Sequence, residues 1–267
     1  MEDWKKFEIE CRNHLQREYS NNDITFNVEG GYNSYSSDIQ VIRDNNCFLS
    51  IECKKNPAQC GQFVLSVDNV NKKFIYSTKN KTPLNDSSIK VIEEMEEHFD
   101  ECCVATTKDI PISESAISQW VKNYYQNAKQ SKYCITNGNG EFIIIPIDKL
   151  DEYFTFSAKY RVKKSGSARP SKKNIDELNK LLESLNVNTS IFFCEKECYA
   201  KFDYSQEEFV ISGEKYRYKF SKDGDAYKIR RLSNTKNANF IVTIRLKKFK
   251  QDNQDLIAFK KDLSKTM

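Results

Sequence analysis

Asp38 is followed, after thirteen residues, by Glu52-Cys53-Lys54. On a strand, Glu52 and Lys54 share a face because they are two apart. A hairpin would bring that pair beside Asp38, so that two carboxylates and an ammonium converge at a sheet end. Such a set suits phosphodiester hydrolysis. Carboxylates hold Mg2+ through oxygen, with Ca2+ as a non-catalytic substitute. The ion polarises the phosphoryl oxygen and acidifies the attacking water. A lysine positions or deprotonates that water and offsets charge on phosphorus. In this reading Asp38 and Glu52 are the metal ligands, Lys54 is the catalytic cation, and Glu8 is an outer or additional carboxylate. Spacing alone is weak support, because charges alternate on many exposed strands. Glu52 and Lys54 could equally be a solvated pair, with Ile51 and Cys53 facing inward.

The elements that must position these residues can be read from periodicity. Trp4, Phe7, Cys11, Leu15 and Tyr19 recur at helical spacing over residues 3–19 and carry Glu8. Ile24 to Val28 is short and β-prone. A loop from Glu29 to Ser37, hinged at Gly30-Gly31, leads to strands over Asp38–Ile42 and Cys47–Lys54, joined at Asp44-Asn45-Asn46. Helices are expected over 87–103 and 113–130, with Ser113 as N-cap. Strands at Lys132–Thr136 and Glu141–Ile147 follow, then a short helix at Asp148–Phe154. This order predicts an α/β (α+β) domain over residues 1–157, with a mixed five-stranded sheet flanked by helices. Arg161 to Lys173 then reads as a basic loop, followed by a helix to Leu185 and short strands up to Leu246. Residues 158–267 are therefore expected to form an appended β-rich region, one or two small subdomains in size.

Charge follows the same division. Residues 1–157 carry 17 basic and 24 acidic side chains, residues 158–250 carry 22 and 11, and the last 17 residues have three of each. A basic second part points to a polyanion partner, although a lysine-rich solvated surface would give the same count. No apolar run is long enough to span a membrane. Met1 to Lys6 lacks a signal-peptide layout, and the nine cysteines are odd in number and scattered. The expectation is a cytoplasmic protein with free thiols. Cys194 and Cys198 have ligand spacing, but His14 and His98 are the only histidines, which disfavours a zinc site.

At the Asp/Glu/Lys trio the chain resembles the PD-(D/E)XK nucleases, and within them the HhaI-like type II restriction endonucleases. The similarity extends to Trp4-Lys5-Lys6-Phe7-Glu8, to Ser37-Asp38, to Gln59-Cys60-Gly61-Gln62-Phe63-Val64-Leu65 and to Lys79-Asn80-Lys81. It continues in Tyr160-Arg161-Val162-Lys163-Lys164-Ser165-Gly166-Ser167, in Leu232-Ser233-Asn234-Thr235 and in Asn237-Ala238-Asn239. The gap between Asp38 and Glu52 is two residues longer than the family's, Cys53 stands where an alanine is expected, and 186–225 match poorly. The resemblance implies a Mg2+-dependent restriction enzyme acting on double-stranded DNA at the palindrome GCGC. It also implies a monomer cutting one strand at a time to leave 3′ overhangs, and a cognate cytosine methyltransferase in a restriction-modification system.

Candidate DNA contacts follow from residue chemistry. Arg161 and Arg169 can donate to guanine O6 and N7, while Lys163, Lys164, Ser165 and Ser167 suit phosphates, the commoner contact. Asn234, Thr235, Asn237 and Asn239 can read base edges or simply form a turn. Gln59 and Gln62 can orient the scissile phosphate, reach a base, or hydrogen-bond a buried loop. Three functional classes remain open from sequence: a sequence-specific restriction endonuclease, a structure-specific or repair nuclease, and a DNA-binding protein with an inactive core.

Overall fold

The computed structural model describes residues 3–21, 23–29, 36–80, 82–104, 108–164, 167–187, 189–194, 197–214, 216–232 and 236–265, without the side chains of 162–164, 236 and 237. The chain forms two units, Met1–Arg161 with Asn239–Met267, and Val162–Ala238.

The first unit opens with helix α1 (Asp3–Tyr19), whose Phe7, Cys11 and Leu15 form one buried stripe. Strands β1 (Thr25–Val28), β2 (Ile39–Arg43) and β3 (Asn46–Cys53) run antiparallel. The β2–β3 turn places Asp44 and Asn45 at φ 49° and 62°. That is the left-handed backbone a two-residue hairpin needs, and Asp and Asn tolerate it. A bulge between Val41 and Ile42 leaves Phe48 as the extra residue of β3. The thirteen-residue gap is thus closed by a tight turn and one bulge, not by a long loop.

Two strands follow that the sequence reading omits, β4 (Ala58–Asp68) and β5 (Lys73–Tyr76). Their pattern is masked because β4 buries Cys60, Phe63 and Leu65, a step of three and then of two, around Gly61. Helices α2 (Asp86–Glu97), α3 (Phe99–Cys102) and α4 (Glu114–Asn123) come next. Ser113 caps α4 as expected, its Oγ accepting from Ala116 N at 3.2 Å. The helix runs on as a π-helical stretch, Tyr124–Ala128. Strands β6 (Tyr133–Gly138) and β7 (Glu141–Pro146) then lead through α5 (Leu150–Tyr153) into β8 (Phe154–Lys164). Phe154, Phe156, Ala158 and Tyr160 alternate in burial as a strand requires, and the strand runs on through Arg161–Lys164, the first residues of the expected basic loop.

The second unit contains β9 (Ser167–Ala168), α6 (Ile175–Ser184), β10 (Ile191–Cys194), β11 (Glu197–Ala200), β12 (Glu208–Ser212), β13 (Arg217–Asp223) and β14 (Ala226–Leu232). Its sheet has the order β10-β11-β14-β13-β12, with β9 also on β14. Leu178 and Leu182 of α6 pack with Tyr218, Phe220, Tyr227 and Ile229.

The chain then returns to the first unit through β15 (Lys236–Leu246) and α7 (Asn253–Ser264). Residues 239–267, expected in the appended region, belong here because Phe259 and Leu263 of α7 complete the core made by α1 and the first sheet. The Gln251 side chain also serves as a strand partner for the edge strand β7, accepting from Ile144 N at 2.7 Å and donating to its carbonyl at 3.1 Å. Two sheets result, β1-β2-β3-β6-β7 and β5-β4-β15-β8. The first is mixed and five-stranded, as expected, with β3 and β6 parallel. With these bounds the second unit carries 16 basic and 11 acidic side chains, so its excess is +5, smaller than the sequence division suggested. No helix among the described residues is long and apolar enough to cross a membrane.

Candidate active site

β-Sheet register brings the trio together. Ile39 pairs with Ile51 and Gln40 with Ser50, so one step further Asp38 stands opposite Glu52. Ile39, Val41, Leu49, Ile51 and Cys53 belong to the core cluster with α1 and α7. By alternation, Asp38 and Glu52 point from the opposite face. Like charges directly opposed across two strands repel, and cations relieve the repulsion here. Lys54 Nζ lies 3.1 Å from Asp38 Oδ2 and 3.2 Å from Glu52 Oε2. Cys53 N–H donates to Asp38 Oδ2 at 2.8 Å. Glu52 is 0% exposed, which removes the alternative of a solvated surface pair.

Two further residues complete the cluster, and neither was singled out in the sequence. Lys129 Nζ lies 3.1 and 2.9 Å from the two Glu52 oxygens and 3.9 Å from Asp38 Oδ1. Ser131 Oγ donates to Glu52 Oε1 at 3.1 Å. Both sit between the π-helical stretch and β6. Lys129 N donates to Tyr124 O, Ser131 N to Tyr125 O and Lys132 N to Ser50 O, which ties the junction to β3. Gln130 between them adopts φ 52°. Their only sequence signal is a pair of polar donors at a helix-to-strand junction.

The electrostatics follow from this packing. Burial alone would raise the Asp38 carboxyl, but Lys54, Lys129 and the Cys53 N–H outweigh it and hold Asp38 below the usual range. Burial opposes the Lys54 charge, yet Asp38, Tyr125 and Glu52 hold its ammonium well above the ordinary value. Glu8, only 8% exposed on α1, is pushed up to about 7, first by burial and then by the Asp38 charge. Burial likewise pushes up the thiols of Cys53, Cys134 and Cys60, the last to about 12, so these cysteines are protonated, weak nucleophiles.

A cavity of about 500 Å³ opens beside the cluster, lined by Lys54, Lys79 and Lys129, by Gln59 and Gln62, and by Asn80 and Tyr124, with no acid on its walls among the described residues. Gly61 lets β4 form this wall, since a Cβ there would lie 2.7 Å from the Trp120 ring of α4. Gln59 and Gln62 are thus cleft-lining strand residues with exposed side chains, not partners of a buried loop. A larger cavity, about 660 Å³, lies along β6, β7 and α7. Its Asp255 and Asp262 are engaged by Lys149, Tyr153, Lys132 and Tyr133 at 2.5–2.7 Å, which leaves it less suited to chemistry.

Two carboxylates and their neighbours fit a hard divalent cation. Among the described residues no three His, Cys, Asp or Glu side chains converge as metal ligands. Mg2+ commonly takes one or two carboxylates and completes its shell with water and phosphate oxygens, so the pair suffices. The candidate contacts beyond the cluster divide between the two units. Arg161 is exposed in the first unit. Arg169, exposed in the second, lies 5.6 Å over the Phe193 ring, and Ser167 accepts from Arg230 Nε at 3.4 Å. Asn239 is buried in β15, so its side chain is not on a surface loop. Ser165, Asn234 and Thr235, and the side chains of Lys163, Lys164 and Asn237, lie outside the described residues. All nine cysteines are free, including Cys194 and Cys198.

No protein-family model and no curated protein matches the chain. Among solved structures, HhaI endonuclease in complex with DNA is similar, with 36% identity, a TM-score of 0.76, and coverage of 98% of this chain and 100% of that one. At that identity over nearly the whole of both chains, this chain belongs to the HhaI-like restriction endonucleases.

Proposed function

We propose that the chain is a type II, PD-(D/E)XK deoxyribonuclease that hydrolyses phosphodiester bonds in double-stranded DNA with Mg2+. The observation that carries this reading is the Asp38–Glu52 pair, opposed across the start of β2 and the end of β3, bridged by Lys54 and set beside a cleft that, among the described residues, has three lysines and no acid. A wall of ammoniums and amides suits a phosphate backbone. The solved relative's complex with DNA points to the same partner.

Asp38 and Glu52 would hold Mg2+, which when bound polarises the phosphoryl oxygen and acidifies the attacking water. The other contributions come from side chains of the chain. Lys54, paired with both carboxylates at 3.1 and 3.2 Å, donates a hydrogen bond and offsets charge on phosphorus. Glu8, buried on α1 and sensing the Asp38 charge, is the further carboxyl beside the site and could serve as an outer or additional ligand. Gln59 and Gln62 orient the strand in the cleft.

The sequence resemblance extends the proposal to cleavage at GCGC, to 3′ overhangs, to a monomer that cuts the strands in turn, and to a cytosine methyltransferase that protects the host. Run-off sequencing of the termini of a plasmid digested with Mg2+ tests all but the last two. Discrete ends at GCGC are expected. A smear or junction-dependent nicking would move the chain to structure-specific nucleases, and intact plasmid would mean an inactive core.

A further inference from the structure

The proposed chemistry leaves Lys129 unused, although it makes the shortest ion pair of the cluster, 2.9 Å to Glu52. Glu52 is saturated by the protein itself. Its Oε1 accepts from Lys129 and Ser131, and its Oε2 accepts from Lys129 and forms an ion pair with Lys54 at 3.2 Å. Filled in this way, the carboxylate has little left for a cation. The cluster formed by Asp38, Glu52, Lys54 and Lys129 is also neutral, with two charges of each sign. A divalent cation added to it meets two ammoniums within a few ångströms, and that repulsion is strong where water is excluded. A phosphodiester in the cleft supplies the missing negative charge. Lys129 itself lines the cleft, so its ammonium can turn from Glu52 to a phosphate oxygen without leaving the site.

We infer that Lys129 is a positioning residue that occupies Glu52 until DNA fills the cleft, so that the Asp38–Glu52 pair takes a divalent cation tightly only together with a duplex phosphate. The inference rests on the metal-dependent reading above. It makes cation and DNA binding reciprocally coupled, with the coupling set by the charge of residue 129. Retention of Lys129 by Glu52 in the absence of DNA would also keep the free enzyme poorly loaded with metal.

Calorimetric titration of Ca2+ tests this, into the DNA-free protein and into its complex with a GCGC duplex. The wild-type protein should bind Ca2+ about tenfold or more tightly in the complex. Lys129→Gln keeps a donor to Glu52 but removes the charge. It should tighten Ca2+ binding to the DNA-free protein about tenfold, abolish most of the coupling, and lower kcat with Mg2+ more than it changes KM. Lys129→Arg should keep the wild-type coupling. Ser131→Ala, which removes a neutral partner of the same carboxylate, should leave the coupling within about twofold. Equal Ca2+ affinity of DNA-free wild type and Lys129→Gln would overturn the inference, as would Lys129→Arg or Ser131→Ala matching Lys129→Gln. A wild-type protein that takes no Ca2+ even with the duplex would overturn the metal-dependent reading itself.

Discussion

Glu52 on β3 and Glu197 on β11 are both strand glutamates that meet two cations. Glu52 faces Lys54 and Lys129, and Glu197 faces Lys228 at 3.2 Å and Arg230 at 2.8 Å. They differ in solvent. The Glu52 side chain is 0% exposed and that of Glu197 is 27% exposed. A buried charge that loses one partner is left uncompensated, at a cost of about 3–5 kcal/mol. A solvated pair exchanges its partner for water at little cost. Similar residue types therefore make a buried cluster with interdependent charges in the first unit and a replaceable surface ladder in the second.

The comparison breaks most sharply at the trio. Asp38→Ala and Lys54→Ala should each lower cleavage by about a thousandfold or more. Both should retain duplex binding in Ca2+, measured by gel shift. Wild-type-like cutting by either variant would remove these residues from the site.

Glu8 sharpens the buried side of the comparison. Its folded pKa, about 7, lies above the ordinary 4.5. A carboxyl raised in this way favours the fold below its unfolded pKa, and the advantage is lost as pH rises through the folded value. Glu8→Gln is neutral throughout. In EDTA it should match the wild type near pH 5 and exceed it near pH 8, by up to about 3 kcal/mol in urea unfolding. A difference independent of pH would mean that Glu8 does not titrate in this environment.

The trio and Lys129 separate what was legible in the sequence from what was not. Asp38, Glu52 and Lys54 could be read because a two-residue turn and a period-two strand set their meeting locally. Lys129 could not, because it reaches Glu52 across 77 residues, through the parallel pairing of β3 with β6 and an i→i+5 turn that no local pattern announces. The same distinction holds for the fold. Helix α1 declares itself by its apolar stripe. Strand β4 is hidden by the close packing of Gly61 on Trp120, which breaks the alternation. Helix α7 lies beyond a whole second unit from the sheet it covers, so nothing near it in sequence says which core it completes.

One exposed arginine of each unit can be tested with DNA, Arg161 of the first and Arg169 of the second. Arg161→Ala and Arg169→Ala should each weaken a GCGC duplex by about 1–3 kcal/mol and random duplex by less, if each guanidinium reads guanine. Fluorescence anisotropy at one fixed salt concentration measures both. Equal losses on the two duplexes would assign the side chains to phosphates. For Arg169 a loss on neither would leave it to its contact with Phe193.

The smallest effect is expected at Glu197 itself. Hydrogen bonds from Lys228 and Arg230 hold its carboxyl below the usual range, which shows that the pairs form but not that the fold depends on them. Lys228 and Arg230 are each about a third exposed, so both cations keep much of their hydration when the glutamate is removed. Glu197→Gln should therefore shift the thermal midpoint of the second unit slightly at low salt and not at all at high salt, where screening has already weakened the pairs. A large, salt-independent loss would mean that Glu197 resembles Glu52 after all. Burial would then not be what distinguishes the two clusters, and the case for chemistry at Glu52 would have to rest on its cleft alone.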